Sequence, residues 1–279
     1  MAMRIRYGFN IEIDVQQEIT ILTAMDVEAA RRPDIVWESP LRTTSVAGIE
    51  IFTDPYGNAC RRIRALPGTV SLSLEGVIQD SGQPDPVPQY AEQHPVADLP
   101  VDTLPFLLAS RYCETEFLSS VAWWEFGHIQ GGWARVQAIC DFVHDRLTFS
   151  YPNARSTRTA LEAYNERTGV CRDFTHLAVA LCRCMNIPAR YCNGYLGDIG
   201  IPFDPAPMDF NAWFEAYIGG RWYIFDARHN MPRIGRITVA RGRDAMDIPM
   251  LHSFGPHSLR RFEVITEEVI DQAWDMAAE

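Results

Sequence analysis

The chain has 279 residues, 47% of them hydrophobic, and a formal net charge of −11. That length holds one large domain or two modest ones, and that composition excludes a globally disordered chain. The acidic balance and the lack of any basic block speak against nucleic acid or an anionic membrane as partner, and no stretch approaches the ~20 apolar residues of a membrane span. Residues 1–15 alternate apolar and polar side chains instead of presenting the apolar segment of a secretion signal, so a cytoplasmic location is expected. Seven cysteines, an odd count without a C-x-x-C pair, fit reduced core thiols better than a disulfide framework or a zinc site.

Residues 3 to about 80 read as strands. The segments 4–13, 49–52 and 70–77 alternate with the period of half-buried strands, and 54–58 and Pro67-Gly68 mark turns between them. Residues 82–100 set Pro84, Pro86, Pro88, Pro95 and Pro100 among polar residues, an extended linker. A domain boundary is therefore expected near residue 95, with a β-rich domain over 1–95 and a second domain over 96–279.

Helical patterns follow. Leu104, Leu107 and Leu108 share a face over 102–114, and Val136, Ile139, Cys140 and Val143 do so over 132–147. Ser156 or Thr157 can cap a third helix running to about Glu166. A fourth starts near Cys171, with Phe174, Leu177, Ala178, Leu181 and Met185 as its apolar stripe, and Ile187-Pro188 ends it. Strands are then expected over 189–195, 210–218, 221–228, 235–240 and 261–265, with a short amphipathic helix after Thr266.

The chemistry concentrates at Gly169-Val170-Cys171-Arg172-Asp173-Phe174. It places a cysteine at a helix start, where unpaired N–H groups and the positive end of the helix dipole favour the reactive thiolate. Asp173 suits the first turn of that helix and is given no chemical role. Downstream, Gly219-Gly220 is a two-residue hairpin turn that pairs Ile218 with Arg221, and by extension Trp213 with Asp226 and Asn211 with Arg228. Asn211 then becomes the diagonal same-face neighbour of Asp226, within reach of a hydrogen bond.

These motifs carry a resemblance. Gly169–Phe174, Ala189-Arg190-Tyr191, Gly194-Tyr195, Ala212-Trp213-Phe214-Glu215 and Trp222-Tyr223-Ile224-Phe225-Asp226 resemble a transglutaminase-like core over roughly 99–279. The residues before Pro84 resemble the N-terminal domain of bacterial members. The resemblance implies an α+β, papain-type fold and a Cys-His-Asp triad acting on amide bonds by acyl transfer, peptide hydrolysis or deamidation. Cys171 and Asp226 match the triad, but the histidine position is Asn211. An amide cannot accept a proton at neutral pH, so Asn211 can position groups without serving as base. Losing a general base typically costs ~10²–10⁴-fold in rate.

Among other histidines, His176 lies five residues after Cys171, about 140° around the helix, and should point away as a packing residue. His229 falls on the opposite strand face unless the strand ends by Arg228. His252 and His257 lie in a loop-like segment able to fold over the site. Each of these three reads as a surface or structural residue before a substitute base. Trp123, Trp124, Trp213 and Trp222 read as core or pocket-wall residues. Arg228, Arg233 and Arg236 form a local basic patch, in its commonest form a solvated or salt-bridged surface. The backbone N–H of Cys171 is a natural oxyanion donor.

Two functions follow. The first is a cysteine-dependent amide hydrolase or acyltransferase, with Cys171 forming a thioester and Asn211 and Asp226 organising the site. Its substrate would be a peptide, protein or small amide; no cofactor is needed and nothing suggests a metal. The second is a relative without catalysis, keeping the cleft as a binding or scaffold module because Asn211 replaces the base.

Overall fold

In the computed structural model, residues 2–205 and 207–269 are described. The N-terminal alternation builds β1 (Met3–Val15), β2 (Ile19–Thr23), β3 (Ile35–Glu38), β4 (Arg42–Thr43), β5 (Val46–Thr53), β6 (Ala59–Ala65) and β7 (Gly68–Asp80). Ile5, Tyr7, Phe9, Ile11 and Ile13 of β1 are all buried, each aliphatic or aromatic side chain contributing about 1.5–3 kcal/mol. β1 runs antiparallel to β7 from Met3 opposite Asp80 to Val15 opposite Gly68.

The helical part comprises α1 (Thr115–Phe126), α2 (Gly132–Arg146), α3 (Ala160–Glu166) and α4 (Cys171–Cys184), with the short strands β8 (Thr148–Phe149) and β9 (Thr168–Gly169) between them. An antiparallel sheet follows from β10 (Ala189–Tyr195), β11 (Asn211–Ile218), β12 (Arg221–Phe225) and β13 (Ile237–Gly242), in the order β12-β11-β10-β13. The chain closes with β14 (His252–Phe254) and β15 (His257–Glu268). This is the α+β architecture expected: helices packed on one antiparallel sheet, preceded by β-sheets.

Two cores hold it together. Phe214, Ala216, Ile218, Tyr223 and Phe225 meet Leu177, Ala178 and Leu181 of α4 and Val136 and Ile139 of α2. The second core joins β1 and β7 to Tyr191, Tyr195, Phe210, Ile237 and Val239 of the central sheet region. Ring pairs mark the junction: Tyr7 with Tyr195 at 5.3 Å and Phe9 with Phe210 at 6.4 Å. The N-terminal sheets therefore form one wall of the region that carries the site.

Several expected elements move. Over 102–114 the structure holds a 3-10 turn at Val101–Leu107, because Pro105 lies inside it and has no N–H to continue a helix. α1, which the sequence reading lacks, follows. α3 begins at Ala160 and is capped by Thr159, later than Ser156 or Thr157. Thr159 Oγ1 accepts from Glu162 N at 3.3 Å while Glu162 Oε2 accepts from Thr159 N at 3.0 Å.

β12 stops at Phe225, three residues before the expected end. In place of a helix directly after Thr266, β15 continues to Glu268, and residues 270–279 lie outside the described part. β15 pairs with β1 and β14 with β2, so two C-terminal strands cross the sequence boundary near residue 95 to join the N-terminal sheets. Among the described residues, no helix is long and apolar enough to cross a membrane.

Candidate active site

The start of α4 is fixed before its thiol is placed. Asp173 Oδ2 accepts from Val170 N at 2.9 Å and from Arg158 Nη1 at 3.1 Å, an ion pair buried on both sides. A Cβ on Gly169 would sit 2.5 Å from Asp173 Cβ, so glycine is what lets this cap close. Asp173 thus does more than favour the helix dipole: it ties α4 to the segment before α3. Arg158 carries no signal in the sequence that marks it as the partner.

Cys171 is partly exposed, while the other six cysteines are buried and all seven are free thiols. It opens onto a cavity of about 670 Å³ lined in part by Tyr112, Tyr191, Asp209, Asn211, Met250 and Phe262. Its Sγ lies 4.0 Å from the Phe210 carbonyl oxygen, and the backbone N–H groups of Ala212 and Arg172 favour its ionised form. Burial pushes the thiol up to about 11; Arg228 and those two N–H groups pull against burial, and Asp209 adds to it. Burial thus works against the easy ionisation expected of a helix-start thiol. Asp209 is itself raised by its own burial.

The hairpin forms as expected at its turn. Ile218 pairs with Arg221, and Gly219 and Gly220 both take the positive φ that the tight turn requires. The register ends at Phe214 opposite Phe225, so its extrapolation to Asn211 and Asp226 fails: the chain turns at Asp226. Asn211 bonds Arg228 instead, its Oδ1 accepting from Nη1 at 3.1 Å, and its Nδ2 donates to the Asp209 and Leu196 carbonyls at 3.3 and 3.4 Å.

Asp226 is sealed. Its Oδ2 accepts from Arg236 Nη2 and His229 Nδ1, both at 2.9 Å, and its Oδ1 accepts from the N–H groups of Arg228 and His229, both at 3.0 Å. Burial opposes ionisation, yet Arg236 and His229 hold the carboxyl well below the usual carboxylate range. Arg236 also reaches Asp85 at 2.9 Å, bringing in the proline-rich linker. The expected surface basic patch is therefore interior for Arg233 and Arg236, which are 2% and 6% exposed. A separation of ten positions hid this pairing from sequence patterns.

His176 packs as expected. It is fully buried between Tyr112 and Tyr191, with ring centroids 5.0 Å from each, and Nε2 accepts from Ala245 N. His229 serves Asp226. His252 and His257, expected in a loop, begin β14 and β15, which join different sheets, and border the same cavity as Cys171. His257 Nδ1 lies 2.6 Å from Ser253 Oγ. Trp213 is fully buried, and Trp222 packs edge-on against Phe106. Trp123 and Trp124 stand 51% and 83% exposed on α1, contrary to the core or pocket-wall reading.

A helix-borne cysteine beside an antiparallel hairpin that ends in a buried aspartate defines the class: the chain belongs to the transglutaminase-like superfamily, whose family profile matches residues 122–227. Its fold is shared with a solved structure from Cytophaga hutchinsonii, provisionally described as a cysteine protease, at 34% identity and a TM-score of 0.83. That match covers 97% of this chain and 92% of the other. An uncharacterised protein of Mycobacterium leprae is 30% identical over 136 residues, 47% of this chain; the chain spans about half the length of that curated relative, 48%.

Proposed function

We propose that the protein is a cysteine-dependent amide hydrolase or acyltransferase working through a Cys171 thioester. The observation that carries this reading is the one partly exposed cysteine, set at the start of α4 and open to the large cavity. The thiolate would attack a substrate carbonyl, the C–N bond would break as the amine departs with a proton, and water or a second amine would release the acyl group. Peptidase, deamidase and amine-transfer outcomes differ only in donor and acceptor, and the provisional description of the Cytophaga protein favours the peptidase form. Residues 1–95 are proposed to act as a separate β-rich part that walls the cavity, and the cytoplasm is the proposed location.

A second reading, a binding module without catalysis, is favoured by one feature: the thiol is pushed up to about 11, and among the described residues no histidine hydrogen-bonds its sulfur. Casein hydrolysis, ammonia release from glutamine peptides and dansylcadaverine incorporation, each measured for wild type and Cys171→Ala, separate the two. Activity that disappears in a folded Cys171→Ala variant supports the enzyme. Wild-type and variant proteins equally silent, with unchanged ligand binding, support the module.

A further inference from the structure

Where the family pattern has an imidazole, this site has an amide holding a guanidinium. Arg228 is fixed from four sides. Asn211 Oδ1 accepts from its Nη1 at 3.1 Å, and Phe149 lies under the guanidinium, 3.8 Å from ring centroid to Cζ. Its backbone N–H donates to Asp226 Oδ1 at 3.0 Å, and its carbonyl accepts from His144 Nδ1 of α2 at 2.9 Å. Asn211 directly follows Phe210, whose carbonyl touches the Cys171 sulfur. Asp226 therefore still orients a functional group, but by gripping the turn that carries Arg228.

We propose that Arg228 is a positioning residue for Cys171: a fixed cation, held by Asn211 and the Asp226-anchored turn, against which the sulfur ionises. The inference rests on reading Cys171 as the nucleophile. The S–H bond breaks, the proton passes to bulk water, and the sulfur keeps the electron pair with which it attacks. Asp209 from the segment before β11 opposes this charge. Arg172 on α4, Tyr191 on β10 and Tyr151 in the turn after β8 also face the thiol region, and Tyr112, Arg155, His252 and His257 line the same cavity. A guanidinium stays charged at every usable pH, so it supplies field without proton transfer. Reactivity of Cys171 should accordingly keep rising into the alkaline range, with no plateau set by an imidazole.

The test is the iodoacetamide alkylation rate of Cys171 against pH, assigned by peptide mass spectrometry, in the full chain. Arg228→Met keeps the packing on Phe149 and removes the charge; an opposite charge at close range moves a thiol by about 1–3 pH units. The expected result is a rate at least tenfold lower at pH 9 and a profile displaced to higher pH, with Arg228→Lys recovering most of the loss. Should Arg228→Met not fold, Asn211→Ala, which frees the guanidinium, is expected to give the same displacement more weakly. An unchanged profile in Arg228→Met overturns the proposal while leaving Cys171 as nucleophile. So does a wild-type limb in the neutral range that vanishes in His257→Gln, which would move the role to the start of β15. A wild-type Cys171 that stays unlabelled even at pH 10 overturns both the proposal and the nucleophile reading.

Discussion

Cys171 and Asp226 are paired in one motif by the sequence resemblance, yet their surroundings differ in kind. The thiol is partly exposed at the edge of a large cavity, with one carbonyl oxygen 4.0 Å away. The carboxylate is 6% exposed and accepts four hydrogen bonds, two of them from Arg236 and His229 side chains. A buried charge must be matched almost completely, so every group around Asp226 has a structural duty. A neutral thiol has no such requirement, and its neighbours are free to serve reactivity. In this site the aspartate stabilises the fold, and the cysteine is the replaceable part.

That contrast is broken most severely at Asp226. Asp226→Ala leaves Arg236 buried with only Asp85 opposite, and removing one partner of a buried pair costs about 3–5 kcal/mol. Urea unfolding of this variant beside Cys171→Ala should show that loss against under about 1 kcal/mol for the cysteine. Equal midpoints would erase the distinction. Acid acts in the same sense: the carboxyl is depressed in the folded protein, so its stabilisation is complete above about pH 4 and fades as pH falls below that.

A smaller effect comes from the far side of α4. Burial lowers His176 well below the ordinary histidine value, so the folded protein keeps it neutral. The unfolded chain takes up that proton near pH 6.5, and stability therefore falls with decreasing pH below this point, by up to about 1.4 kcal/mol per pH unit. His176→Gln should flatten the stability curve between about pH 6.5 and 5; an unaltered slope would assign the acid sensitivity to other groups. The smallest change is expected at Arg260, whose Nε lies 3.0 Å from Asp14 Oδ2, as close as a buried pair, but with side chains 55% and 41% exposed. Arg260→Ala should cost no more than about 0.5 kcal/mol in the same unfolding experiment.

The parts of the fold that local patterns determine were readable in the chain. The stripe Phe174, Leu177, Ala178, Leu181 and Met185 marked α4, and all five residues are buried. Gly219-Gly220 set the hairpin register because a two-residue turn leaves one pairing. What failed depended on distant chain. The β11–β12 pairing was extended past Phe225, where Asp226 Oδ1 instead caps a local turn by accepting from the Arg228 and His229 N–H groups; the partners that bury Asp226, Arg236 and through it Asp85, come from outside that turn. His252 and His257 read as loop because their strand partners, β2 and β1, lie more than two hundred residues earlier. That Asn211 stands where the resemblance leads one to expect histidine was legible in the sequence; the guanidinium it holds was not, since Arg228 reaches it across the turn.

The return of β15 to β1 also has a bearing on synthesis. β1 can pair with β7 once Asp80 has been made, but its other edge pairs with Ile5 opposite Glu268 through Val15 opposite His257. On the ribosome that edge waits, with its N–H and C=O groups unpaired, until residues 257–268 have left the exit tunnel. A long open strand edge is a template for pairing with other chains. The nascent protein therefore passes through an interval in which the β1 edge is open to misassembly, and slowing translation between β7 and β15 should lower the yield of native protein.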